Sequence, residues 1–125
     1  MRQLTIKICN KCGALIHIID DCNCDNCGIT CCNQKMEKLN SNSTDASFEK
    51  HLPTYEIDND KIIVKVDHVM DEEHYIKFIS LVTDTKEEIV YLNPNEKAEV
   101  IFDYVQDSCL YSYCNKHGLW KTEVK

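Results

Sequence analysis

The chain has 125 residues, a formal charge of -7 and a pI near 5.1, which leaves room for one modest core and a short satellite module. That acidity argues against nucleic acid or an anionic membrane as partner, since either surface repels the chain at long range, and an anionic substrate would need a local positive spot. No run approaches the roughly 18 apolar residues of a membrane span. The opening Met1-Arg2-Gln3-Leu4-Thr5-Ile6-Lys7 is too broken by polar residues for a signal peptide, so a cytoplasmic location is expected.

Nine cysteines without an export signal point to metal ligation rather than a disulfide framework, because cytosolic thiols are kept reduced. Seven of them lie between Cys9 and Cys32 and define a module. Cys9-Asn10-Lys11-Cys12-Gly13 is a strong half-site, two thiolates around a tight turn that can share one ion. Cys24-Asp25-Asn26-Cys27-Gly28 is a second knuckle that could complete a zinc ribbon, at a spacing shorter than usual. For Cys22 and Cys109 the expected role is that of a small hydrophobe or an idle thiol.

The module ends at Met36-Glu37-Lys38-Leu39, and Asn40-Ser41-Asn42-Ser43-Thr44-Asp45 has the composition of a linker or loop. The expected domains are therefore residues 1–38, small and rich in cysteine, and 39–125. In the second, short runs rich in Val, Ile, Tyr and Phe predict strands over 62–66, 75–83, 88–92, 99–105, 110–114 and 119–124. Turn signals such as Asp58-Asn59-Asp60 and Asn93-Pro94-Asn95 separate them. An antiparallel β-sandwich fits this spacing, with a short helical turn expected around Asp71-Glu72-Glu73-His74.

Four of the 5 histidines sit at loop or strand-end positions of the sandwich region: His51, His68, His74 and His117. Each alone reads as an ordinary surface or hydrogen-bonded imidazole. Cys114-Asn115-Lys116-His117-Gly118 lets one tight loop offer a thiolate and an imidazole, with Gly118 free to take φ > 0. Four imidazoles and a thiolate are one ligand too many for a structural zinc site and suit a redox metal, iron above all.

Three blocks carry a resemblance to the desulfoferrodoxin and superoxide reductase family. They are Glu49-Lys50-His51-Leu52-Pro53, His68-Val69-Met70-Asp71-Glu72-Glu73-His74-Tyr75-Ile76 and Cys114-Asn115-Lys116-His117-Gly118-Leu119-Trp120. The resemblance implies an all-β chain, an immunoglobulin-like sandwich preceded by a desulforedoxin-like domain. It implies a catalytic iron held by His51, His68, His74, His117 and Cys114, at which superoxide is reduced to hydrogen peroxide. Lys50 would attract superoxide to the open face, Glu49 would be a carboxylate able to occupy the open position of the ferric site, and the Cys114 thiolate would push charge along the axis. His17 has no place in the scheme, and Val69 stands where the family's loop usually has proline.

The same resemblance extends to Cys31-Cys32, which with Cys9 and Cys12 would bind a second iron, or zinc, through four sulfurs. Asn33 and Lys35 stand where glycine and proline are frequent, and the ribbon pairing through Cys24 and Cys27 remains the alternative. A rubredoxin-like electron donor and a homodimer are further implications. The competing functions are a non-catalytic Fe(Cys)4 electron carrier and a zinc-ribbon interaction module with incidental histidines.

Overall fold

The computed structural model describes residues 2–25 and 28–125. The chain divides into two compact units, Gln3–Asn40, and Ser41–Lys125 together with Arg2. Within the first unit, β1 (Thr5–Ile8) lies between β2 (Leu15–Ile18) and β5 (Glu37–Lys38), all antiparallel. A separate hairpin joins β3 (Thr30–Cys31) to β4 (Gln34–Lys35). Leu4, Ile6, Ile18 and Met36 are buried there, few residues for a core, so a metal cross-link has much to contribute.

The β3–β4 turn consists of Cys32 and Asn33, at φ 55° and 62°. Two-residue hairpin loops favour turns with positive φ at both central residues, because their twist matches that of the strands. Asparagine tolerates that region, so Asn33 does the work of the glycine frequent at this place.

The second unit is a β-sandwich. One sheet has the order β10-β7-β6, from β6 (Thr54–Asp58), β7 (Lys61–Lys65) and β10 (Glu99–Asp103). The other has the order β12-β11-β8-β9, from β8 (Ile76–Val82), β9 (Glu87–Tyr91), β11 (Cys109–Cys114) and β12 (Gly118–Glu123). All pairings are antiparallel. The core between the sheets contains Ile62, Val64 and Val66 at β7, Val100 and Phe102 of β10, Ile76, Ile79 and Leu81 of β8, and Leu110 and Cys114 of β11.

Strict alternation would put Ile76 and Ile79 on opposite faces of β8. They share the core because the β11–β8 register slips between Tyr113, opposite Phe78, and Cys114, opposite Ile76. This bulge leaves Lys77 as the extra residue and sets Ile76, in place of Lys77, opposite Cys114.

Two local expectations change. The helical turn is α1, Phe48–His51, whereas Asp71 and His74 close a turn by a two-way backbone bridge, with N···O distances of 3.0 and 3.2 Å. The polar run after the cysteine module is in part tied down: Asn42 donates its backbone N–H to Leu119 O at 2.9 Å and its side-chain N–H to Lys121 O at 3.2 Å. Its Oδ1 accepts the Lys121 N–H at 2.9 Å, so the run covers the outer edge of β12.

The strand β6 is absent from the sequence reading, because Thr54-Tyr55-Glu56-Ile57-Asp58 carries little apolar signal and lies at a sheet edge. Cys22 departs further from expectation: it is exposed and engaged in a disulfide, neither buried nor idle. Metal-ligand spacing does not reveal such a pairing. Cys109 is buried in β11, and among the described residues no helix is long and apolar enough to cross a membrane.

Candidate metal centres

Three segments of the sandwich bring His51, His68, His74, Cys114 and His117 together, with one potential ligand atom from each lying within 4.8 Å of all the others. His51 closes α1, His68 and His74 flank the turn before β8, and Cys114 and His117 bracket the β11–β12 hairpin loop. Gly118 ends that loop at φ 81°, and a Cβ there would stand 3.0 Å from Thr44 Oγ1. Both the positive φ and the close approach call for glycine.

The orientation of the rings follows from what surrounds them. His51 Nδ1 lies 2.7 Å from the Ser47 carbonyl. A carbonyl only accepts, so Nδ1 carries a proton, which in the neutral ring leaves the Nε2 lone pair for a metal. His68 does the same through Nδ1 and the Val69 carbonyl. Val69 thus serves through its backbone, and its side chain is 51% exposed. The His51 ring stacks on Trp120, with centroids 4.9 Å apart, while Trp120 Nε1 donates to the His117 carbonyl at 3.1 Å. Ser112 Oγ donates to the His51 carbonyl at 2.9 Å.

At the centre, His51 Nε2 and His117 Nδ1 are 3.0 Å apart, and Cys114 Sγ is 3.4 Å from His68 Nε2 and 3.8 Å from His117 Nδ1. His74 Nε2 is buried without a hydrogen-bond partner. Burial lowers the pKa of His68 and His74, and the neighbouring imidazoles lower it further. Burial raises that of Cys114, partly offset by hydrogen bonds from the backbone of Lys116 and His117. Neutral imidazoles converging on an orphaned nitrogen and a costly buried thiolate fit a cation, which would resolve all of these conflicts at once.

A cavity of about 400 Å³ opens on the imidazoles, and Lys50 lines it together with His51, His68, His74 and His117. Lys50 therefore borders the open side. Glu49 is exposed on the same helical turn and is not part of the lining.

The second group is Cys9, Cys12, Cys31 and Cys32, whose sulfurs also lie within 4.8 Å of one another. The Cys9 to Gly13 turn closes by a 2.8 Å bond from Gly13 N–H to Cys9 O. Sulfur separations of 3.6 Å for Cys12 and Cys31 and 3.9 Å for Cys31 and Cys32 match the roughly 3.8 Å expected of thiolates bound tetrahedrally at about 2.3 Å. The Cys12 N–H, more than any other group, holds the Cys9 thiol down to about 6. Hydrogen bonding to the Cys12 sulfur is the main cause that pushes Cys31 up to about 12. One thiolate is favoured and the next is costly without a cation.

Cys24 lies outside this group, and the proposed ribbon partner Cys27 falls outside the described residues. His17 is exposed on β2, apart from both groups. Sequence reasoning treats Asn115 and Trp120 as spacers within a motif. Their roles as supports follow only from the fold, although a lone Trp next to a ligand loop is a signal worth heeding.

The sequence model of the family described as Desulfoferrodoxin matches residues 43–123. A desulfoferrodoxin of Syntrophotalea carbinolica is 36% identical over 125 residues, covering 97% of both chains. A desulfoferrodoxin homologue of Methanothermobacter thermautotrophicus is 38% identical over 121 residues, 90% of this chain and 92% of its own. Among solved structures, the superoxide reductase of Treponema pallidum superposes with a TM-score of 0.73 at 26% identity, covering 97% of this chain and 99% of its own. With two metal-ligating groups of the kind described and relatives matched over almost their full length, the chain belongs to the desulfoferrodoxin family.

Proposed function

We propose that this chain is a superoxide reductase, consuming one superoxide, one electron and two protons for each hydrogen peroxide formed, without producing dioxygen. The observation that carries the reading is the convergence of His51, His68, His74, His117 and Cys114 beneath a cavity that opens on the imidazoles. Iron held by these five residues would supply the electron and a place for the substrate to bind.

The remaining work belongs to the chain. The neutral imidazoles leave the centre's charge to the Cys114 thiolate, which is stabilised by the backbone N–H groups of Lys116 and His117. Lys50 lines the cavity, and its role is to draw in a small anion that the acidic protein otherwise repels. Protons reach the site through this opening, from Lys50 Nζ or from water. Glu49 serves as the carboxylate that covers the open position in the oxidised protein. It stands outside the cavity lining, so this role requires the Phe48–His51 segment to shift.

The four-cysteine group holds a second iron, separable from catalysis, in a desulforedoxin-like domain over residues 1–38. The sulfur geometry supports this choice over the ribbon pairing. A rubredoxin-like protein as electron donor, a homodimer as assembly and the cytoplasm as location complete the reading. Their support is the family resemblance.

The test is Cys114→Ser. Loss of the sulfur-to-iron charge-transfer absorption in the oxidised protein, with iron still bound in the His set, is expected. An unchanged band would remove Cys114 from the coordination sphere.

A further inference from the structure

We infer that Asn115 is the positioning residue for His74, a splint that joins the loop carrying this ligand to the loop carrying Cys114 and His117. Asn115 follows Cys114 directly and has been read above only as a spacer. Its side chain spans to the other loop: Nδ2 donates to the Glu73 carbonyl at 2.9 Å, and Oδ1 accepts the Tyr75 N–H at 3.0 Å. Its own backbone N–H donates to the Tyr75 carbonyl at 3.3 Å. The amide therefore grips the residues immediately before and after His74.

The need for such a grip lies in how the rings are held. His51 and His68 are each fixed by an Nδ1–H bond to a backbone carbonyl. His117 has its carbonyl held by Trp120 and lies in the tight β11–β12 hairpin loop that follows Cys114. For the His74 ring, no hydrogen bond is present among the described residues, and its Nε2 is buried without one. A ring with no hydrogen bond of its own takes its direction from its backbone. That backbone is fixed by the Asp71 bridge on one side and by Asn115 on the other.

The two loops also meet where the β-ladder is broken. The bulge after Tyr113 interrupts the regular β11–β8 pairing, and the bonds from Asn115 resume the connection beyond it. A carboxamide suits the task because it offers a donor and an acceptor on one rigid plane, one for Glu73 O and one for Tyr75 N–H. Alanine provides neither, and aspartate retains only the acceptor.

The inference rests on His74 being a metal ligand and is independent of the substrate. The probe is Co2+ added to the metal-free full chain, read by its visible absorption and by competition with a chelator. Asn115→Ala should weaken Co2+ retention at the His and Cys114 centre by about 10- to 100-fold, the usual cost of losing a residue that orients a ligand. Its spectrum should move toward that of His74→Ala. Asn115→Asp should fall between Asn115→Ala and the wild type, which also covers the case in which the alanine variant does not fold.

The double variant decides between positioning and general stabilisation. In a His74→Ala background, Asn115→Ala should cost little further affinity, because the ligand it positions is gone. Full additivity, or an Asn115→Ala protein with wild-type affinity and spectrum, would overturn the inference. If His74→Ala itself leaves the Co2+ spectrum unchanged, the ligand assignment fails instead, and the two failures are thereby distinguished.

Discussion

Lys50 shows how one residue can oppose the field of the molecule. The formal charge of -7 repels an anion at long range, and the lysine that lines the cavity is proposed to attract it once it is near. Because Lys50 is exposed, solvent and salt screen this attraction. Lys50→Ala is expected to slow superoxide encounter roughly tenfold at low ionic strength, with metal content and ferric spectrum retained. Pulse radiolysis at several salt concentrations checks this. The wild-type rate should fall as salt rises, and the variant's dependence should flatten or reverse. The cavity explains a difference that sequence conceals: Lys50 and Glu49 are neighbours of a ligand in the same motif, yet only Lys50 borders the open side. Adjacent residues on a one-turn helix point in different directions, and no spacing rule states which one faces the metal.

Among the elements, the hairpin β3–β4 decides which cysteines complete the first centre. Its turn puts Cys31 at the end of a strand and Cys32 in the loop, and both sulfurs join Cys9 and Cys12. Cys31→Ser or Cys32→Ser is therefore expected to lose the metal of the N-terminal unit, and Cys24→Ser to retain it, as read by metal analysis of the purified variants. The first pair was legible from Cys9-Asn10-Lys11-Cys12-Gly13. The second was not legible from spacing alone, because Cys24 with Cys27 offers a competing knuckle, and choosing between them needed the hairpin's register. The strands of the sandwich were legible within a residue or two from their β-branched and aromatic runs, except polar β6. The bulge that pairs Ile76 with Cys114 was not, since a one-residue slip leaves no mark in an already apolar β8.

The same unit has an acid-sensitive tie. Buried Lys7 of β1 donates to Asp21 at 2.8 Å, and Asp21 also accepts the Cys22 N–H at 2.8 Å. The Lys7 hydrogen bond holds the Asp21 carboxyl below its ordinary 3.8, against an opposing effect of burial. A carboxylate with a depressed folded pKa contributes stability that is complete above the unfolded value and is lost as pH falls through the folded one. Thermal unfolding of wild type and Asp21→Asn should differ by a constant amount well above pH 3.8, and the difference should shrink at lower pH. A gap that stays constant in strong acid would mean that the ion pair contributes nothing.

At the scale of the whole molecule, the two units divide the labour. The five groups proposed for catalysis all follow the polar run that begins at Asn40, and their supports, Ser47, Ser112, Asn115 and Trp120, lie in the sandwich as well. The histidines could be named as ligands because the motif blocks around them resemble the family's, whereas their loop and strand-end positions alone fit ordinary surface imidazoles. Their convergence could not be derived from periodicity, since it depends on the β11–β12 hairpin, the Asp71–His74 turn and α1 meeting at one end of the fold. The central claim is that this convergence reduces superoxide and does not dismute it. The most direct measurement is the yield of hydrogen peroxide and dioxygen from a known pulse of superoxide, with the iron-loaded, prereduced full chain in excess. One peroxide for every superoxide and no dioxygen is the expected result. One peroxide for every two superoxides, with dioxygen released, would contradict it.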